Sequence, residues 1–215
     1  MVNIKKIETQ IVIAIDGPAG SGKGTIGRML ADYFHLPYLD SGRLYRKIAL
    51  DVVRNKIDPH DKIEVIKKIK NIDFNNPHDD AERGLNISLT SSIISQYEEV
   101  RSELVEYQRS FASNGGVVDG RDIGTIIFPN ADFKFFITAS LDVRTNRRFI
   151  QYQSDNIKLE KNIIRKELKD RDERDINRKI APLFCAKDAI KIDTSTMKVD
   201  DVFDFIVKYI HKGMK

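Results

Sequence analysis

The run from Ile11 to Thr25, Ile-Val-Ile-Ala-Ile-Asp-Gly-Pro-Ala-Gly-Ser-Gly-Lys-Gly-Thr, limits what this chain can fold into more than any other stretch. Five apolar residues, mostly β-branched, end at Asp16 and give way to Gly17, Pro18, Ala19, Gly20, Ser21, Gly22, Lys23, Gly24 and Thr25. The apolar run reads as a buried parallel strand. The glycines leave backbone N–H groups free to wrap an anion without side-chain clashes. After the loop, Ile26, Met29, Leu30, Tyr33 and Phe34 recur at helical spacing. The start of that helix adds a partial positive charge, and Lys23 adds a full one. Strand, glycine loop and helix in this order mark a phosphate-binding loop rather than a glycine-rich connector, so a nucleoside triphosphate is the expected ligand. Gly24, not a hydroxyl residue, follows Lys23, and Thr25 comes one place later. Magnesium carried with the triphosphate is therefore expected to rest mainly on phosphate oxygens and water, with no dedicated protein ligand.

The rest of the chain fits an α/β architecture. Buried strands are expected at Ile11–Ile15, Pro37–Leu39, Gly116–Val118, Lys134–Thr138 and Ala189–Ile192. Helical patterns lie between and after them, at Leu44–Val53, Val100–Phe111, Leu159–Asp175 and Val199–Ile210. In the second of these, Val100, Leu104, Tyr107 and Phe111 form one face of the helix, and in the last Val199, Val202, Phe203, Ile206 and Ile210 form a stripe. Strands alternating with helices imply a five-stranded parallel sheet flanked by helices. At 215 residues the chain is long enough for one such domain, residues 1–215, with small insertions. Ile57–Asn86, rich in Lys, Asn, Asp and His, reads as one, helical around Ile63–Ile69 and otherwise loop.

Composition excludes several classes. Cys185 is the single cysteine, which rules out a disulfide framework or a zinc cluster. His35, His60, His78 and His211 have no metal-like spacing. The net charge of +4 fits a solvated lysine-rich surface better than a nucleic-acid groove, and the tail Lys208–Lys215 reads as a frayed end. No apolar run is long enough to span a membrane, and Lys5 and Lys6 precede no signal-peptide core. A cytoplasmic protein that binds neither nucleic acid nor membrane is expected.

Ligands of open parallel sheets sit beyond the carboxyl ends of the strands. Here those ends read Asp16-Gly17, then Asp40-Ser41-Gly42 followed by Arg43, Tyr45 and Arg46, then Asp119-Gly120-Arg121-Asp122. Cations for phosphates and carboxylates for sugar and base groups would meet in one cleft. Arg171, Arg174, Asp175 and Arg178 fall on one face if the helix runs through them. Read alone, they fit a solvated helix as well as a phosphate lid. Beside a phosphate loop the lid is favoured, since guanidinium groups donate paired hydrogen bonds to phosphate oxygens. Arg144, Arg147 and Arg148 precede the polar segment Gln151–Asn156, a candidate for the lid's other arm.

Together Ile15–Thr25, Leu39–Arg46, Asp119–Thr125 with Phe128-Pro129, and Arg171–Pro182 resemble the bacterial cytidylate kinases, a branch of the nucleoside monophosphate kinases with the P-loop kinase fold. The resemblance implies γ-phosphoryl transfer from ATP to CMP or dCMP with Mg2+, by a monomer, within pyrimidine nucleotide metabolism. It implies an acceptor-binding insertion at 57–100 and an arginine-rich lid at 148–180. Gly17–Thr25 would hold the ATP phosphates, Lys23 those at β and γ. Arg121 and Arg178 would clamp the CMP phosphate with Arg46 and Tyr45 near, and Ser41 would lie at the matching turn. Arg171 and Asp175 would serve sugar and phosphate, and Ser92, Arg101 and Asp122 would read the base. Lys23, Arg121, Arg171 and Arg178 would be the catalytic set. The chemistry of cytosine agrees, since Asp122 can accept from its N4 amino group while Arg101 donates to N3 and O2. Uracil would set an oxygen against the carboxylate, a mismatch of about 1–3 kcal/mol.

Two departures from the family pattern stand out. The insertion is shorter than usual and shows no set of alternating strands, which bears on the choice between CMP and dCMP. Arg43 occupies a place commonly small or neutral, where it would add a cation near the acceptor phosphate or point to solvent. Two other readings compete. One is a kinase of the same fold acting on UMP, AMP or a metabolite alcohol, and the other a nucleotide-gated binding protein without turnover. The Asp122/Arg101 pair weighs against the first. The full cation set weighs against the second.

Overall fold

The computed structural model describes residues 10–70, 72, 74 and 84–214. Lys5, Lys6, Lys215 and, in the insertion, Pro77 and His78 lie outside the described residues. Strand β1 (Val12–Asp16) occupies the middle of a five-stranded sheet of order β2-β3-β1-β4-β5. Its partners are β2 (Tyr38–Asp40), β3 (Gly116–Gly120), β4 (Phe133–Thr138) and β5 (Ile190–Asp193), and every pairing is parallel. Four of the five strands run a residue or two beyond the expected end. Backbone pairing continues into polar residues, as in Asp16 opposite Gly120 and Asp40 opposite Asp119.

The two-residue period of the strands sorts side chains between two cores. Ile13, Ile15, Val117, Phe135 and Ile137 pack with α1 (Lys23–Phe34) and α8 (Val199–Gly213). Ala14, Leu39 and Val118 face the other way, onto α2 (Ser41–Arg54), α4 (Leu85–Ile94) and α5 (Glu98–Phe111). Each fully buried isoleucine or leucine is worth about 1.5–3 kcal/mol of transfer free energy. The short helix α3 (Lys62–Ile69) matches the expected helix in the insertion, and the Asp61 carboxylate caps it by accepting from the Glu64 N–H at 3.1 Å. A third, smaller cluster joins Ala19 of the glycine loop to Tyr152 of α6 (Leu141–Ser154) and to Ile164 and Leu168 of α7 (Lys161–Asn177).

Several expectations need correction. Helices α4 and α6 were not among the expected helical patterns. Helix α2 begins at Ser41, so Ser41 is helical rather than part of a turn. Helix α7 stops at Asn177, and Arg178 is extended at φ −63°, ψ 142°, so Arg171, Arg174, Asp175 and Arg178 do not share one helical face. In α8, Val199 is 47% exposed, and Val207 is buried in its place. In α1, Tyr33 is 49% exposed while Ala31 joins the core. The tail read as frayed is helical as far as Gly213. Among the described residues, no helix is long and apolar enough to cross a membrane.

Candidate active site

The loop leaving β1 crosses the top of the sheet at close quarters. Gly17 has φ +149°, and a Cβ there would lie 1.9 Å from the Ile137 carbonyl oxygen, so no side chain fits. Gly20 and Gly22 also hold positive φ, +75° and +98°. Lys23 and two arginines from beyond the loop fix its carbonyls. Lys23 Nζ donates to Pro18 O at 2.8 Å, Arg144 Nη1 to Ala19 O at 3.1 Å, and Arg147 Nη1 to Ser21 O at 3.1 Å. Thr194, just past β5, donates from its hydroxyl to Ser21 O at 3.2 Å. Lys23 is 6% exposed, and burial, helped by the nearby Arg121 charge, pushes its ammonium down to about 7. Gly24 has a local reason to be glycine. A Cβ there would sit 3.3 Å from the Tyr38 hydroxyl and 3.4 Å from Asp119 Oδ2.

Beside this loop opens a cleft of about 480 Å³. Ala19 to Thr25 line it, together with Asp40, Arg46, Asp119, Arg121 and Arg171. Thr194, Met197, Val199 and Val202 line it too. Charges in the cleft are tightly paired. Arg46 donates to Asp40 at 2.7 Å, and Arg121 Nε donates to Asp175 at 2.9 Å. Burial would raise both carboxyls, yet Arg46 holds Asp40 below its ordinary value, and Arg121, Arg171 and Arg178 do the same for Asp175. Asp119, pressed by burial and by Asp40, is pushed up to about 7. Arg171 sits close to Arg121, and burial together with that like charge pushes it down to about 10. Its Nε is buried without a hydrogen-bond partner. Two guanidinium groups held together with an unspent N–H are what an incoming phosphate would relieve.

The expected acceptor residues fall into two groups. Arg46, Arg121 and Arg171 line the cleft. Ser41, Tyr45, Ser92, Arg101, Asp122, Asp175 and Arg178 do not, and all are buried. Among them Asp122 pairs with Arg101 and lies 3.5 Å from Arg178, while Arg101 stacks over the Tyr45 ring at 5.7 Å. Ser92 accepts from Arg174 Nε at 3.0 Å. Gly17 and Pro18 likewise shape the loop from outside the cleft wall. Arg43 is exposed on α2. Arg144 and Arg147 both sit on α6 and hold the glycine loop, Arg144 also pairing with Asp172 at 2.7 Å.

Asp16 has a role that its sequence position did not reveal. Its two oxygens accept the N–H groups of Ile123 and Gly124 at 2.8 and 2.7 Å. These bonds hold the π-helical turn Ile123–Ile127 and, just before it, Arg121 and Asp122. Thr194, Met197, Val199, Val202 and Ser88 were also missed as cleft residues. The strand-end rule, applied to β5, would have pointed to Thr194.

A family model described as cytidylate kinase matches residues 13–212. The cytidylate kinase of Acidiphilium cryptum is 44% identical over 212 residues, which cover 94% of this chain and 98% of that protein. The cytidylate kinase of Caldicellulosiruptor bescii is 37% identical over 221 residues, covering 96% and 98%. A crystal structure of a protein from Eubacterium ventriosum superposes with a TM-score of 0.53 at 21% identity, over 95% of this chain and 99% of that one, a likeness of fold alone.

Proposed function

The chain belongs to the cytidylate kinase family, whose reaction moves the γ-phosphoryl group of ATP to CMP or dCMP, and from this we propose how its cleft divides between the two nucleotides. Gly17–Thr25 hold the ATP phosphates, with Lys23 on the β and γ groups. Thr194, Met197, Val199 and Val202 receive the base of ATP. Arg121 and Arg171 take the acceptor phosphate, with Arg46 and the buried Arg178 in support. Asp175 orients Arg121 and reaches the acceptor sugar. Ser92, Arg101 and Asp122 read cytosine, and Tyr45 and Ser41 support them. The observation that carries this division is that one cleft is lined by both the anion loop and the paired cations Arg46, Arg121 and Arg171.

Phosphoryl transfer asks mainly for positioning and charge neutralisation, and these residues supply both without a side-chain nucleophile. Among the described residues, no group of three or more His, Cys, Asp and Glu is arranged to hold a metal. The donors that do line the cleft fit Mg2+ carried by ATP. Asp40 and Asp119 are hard oxygen donors whose mutual repulsion a cation would relieve. An ion of this kind binds through one or two carboxylates, with phosphate and water completing its shell. When bound, it would neutralise charge on the β and γ phosphates. The same reading takes the protein as a cytoplasmic monomer, with residues 57–100 carrying the acceptor side and 148–180 the lid.

Parallel assays of CMP, dCMP, UMP and AMP with ATP and Mg2+, alongside Lys23→Ala, test it. CMP or dCMP should be preferred by at least about tenfold over UMP, and Lys23→Ala should abolish turnover. Preference for UMP or AMP would overturn the base assignment, and turnover by Lys23→Ala would overturn the donor assignment.

A further inference from the structure

Ser88 lies on α4, and its hydroxyl spans the gap to α7. It donates to Glu167 Oε1 at 2.6 Å and accepts from Arg171 Nη1 at 2.9 Å. Glu167 precedes Arg171 by four residues on the same helix. That spacing and order favour a direct pair between carboxylate and guanidinium. A direct pair would draw the Arg171 headgroup back along α7 and neutralise it. The hydroxyl stands between them instead. It satisfies the carboxylate with its one proton and accepts one hydrogen bond from Arg171. The Asp175 carboxylate is 3.9 Å away, and Nε is unspent. Ser88, Arg171 and the glycine loop all line the one cleft.

We infer that Ser88 is a positioning residue that keeps Arg171 out of a direct pair with Glu167 and so holds its guanidinium in place for the acceptor phosphate. This rests on the assignment of Arg171 to that phosphate. Neither Ser88 nor Glu167 need touch the acceptor. The hydroxyl works because it is both donor and acceptor. Alanine loses both roles and releases the carboxylate onto Arg171.

The test is a double-variant cycle on the full chain, read by steady-state kinetics and by calorimetric CMP binding. Ser88→Ala should raise the KM for CMP and weaken CMP binding by about tenfold, with the KM for ATP unchanged. Glu167→Gln alone should stay near the natural protein, since the amide oxygen still accepts from Ser88. In Ser88→Ala/Glu167→Gln the competing charge is gone, and CMP affinity should return to within about twofold. A purely structural role for Ser88 would not be rescued at Glu167. Unchanged CMP affinity in Ser88→Ala, or a double variant as weak as the single one, overturns the inference. Binding isolates this question from turnover. Failure of the natural protein to phosphorylate CMP while binding it would count against the kinase assignment alone. Failure of the natural protein to bind CMP would remove the acceptor role of Arg171 and the inference with it.

Discussion

Asp16 shows how much one carboxylate can organise. It ends β1, yet it holds the turn that carries Arg121 and Asp122, so donor loop and acceptor clamp hang from one residue. Burial pushes its carboxyl from 3.8 up to about 6, against the two N–H groups that lower it. A raised value in the folded state means that the native protein binds the proton more tightly than the unfolded chain. Asp16 therefore contributes stability that is complete below its unfolded value and lost as the pH rises through about 6. Asp16→Asn removes that dependence. Between about pH 7.5 and about pH 4, the natural protein should gain about 2 kcal/mol relative to the variant. Denaturant midpoints of both proteins at the two pH values measure it, and a difference that does not change with pH would refute it. The loop glycines were legible because their demand is local: Gly20 and Gly22 hold positive φ, which their own backbone imposes. Asp16 and Ser88 were not, because their partners lie 107 and 79 residues away in sequence.

At the scale of elements, the sequence hid two helices for opposite reasons. Helix α4, Leu-Asn-Ile-Ser-Leu-Thr-Ser-Ser-Ile-Ile, is buried over much of its surface by hydroxyl and β-branched residues, so it has no stripe to read. Helix α6 turns an arginine inward. Arg144 is 6% exposed, donates to Ala139 O and Ala19 O, and pairs with Asp172. A charge at a core-facing position breaks the apolar pattern by which an amphipathic helix is recognised. It also makes α6 a strut between α7 and the glycine loop. Arg144→Ala leaves Asp172 and the Ala19 carbonyl without their partner and should cost about 3 kcal/mol of stability. It should also raise the KM for ATP more than that for CMP. Urea titration together with two-substrate kinetics decides this, and equal effects on both KM values would place the strut's influence elsewhere. The helices that were legible, α5 and α8 among them, carry apolar stripes that the core does bury, such as Val100 with Leu104 and Val202 with Ile206.

On the scale of the whole molecule, the parallel sheet was readable because each strand is an apolar run stopped by a polar end, and the cleft followed from where those ends point. The division of the expected acceptor residues into those that line the cleft and those that are buried was not readable, since it depends on how closely α4 approaches α7. The donor side has a consequence in time. A trans peptide points its N–H opposite to its carbonyl. With the carbonyls of Pro18, Ala19 and Ser21 engaged by Lys23, Arg144 and Arg147, the N–H groups of Ala19, Gly20 and Gly22 are aimed away from those partners, and all three residues line the cleft. The anion seat thus stands assembled before any nucleotide arrives, and no folding step separates encounter from capture. In rapid mixing, the observed rate of ATP association should grow in proportion to ATP concentration. A rate that levels off would mean that the loop is assembled only upon binding, and that waiting, rather than diffusion, governs how fast the donor is taken up.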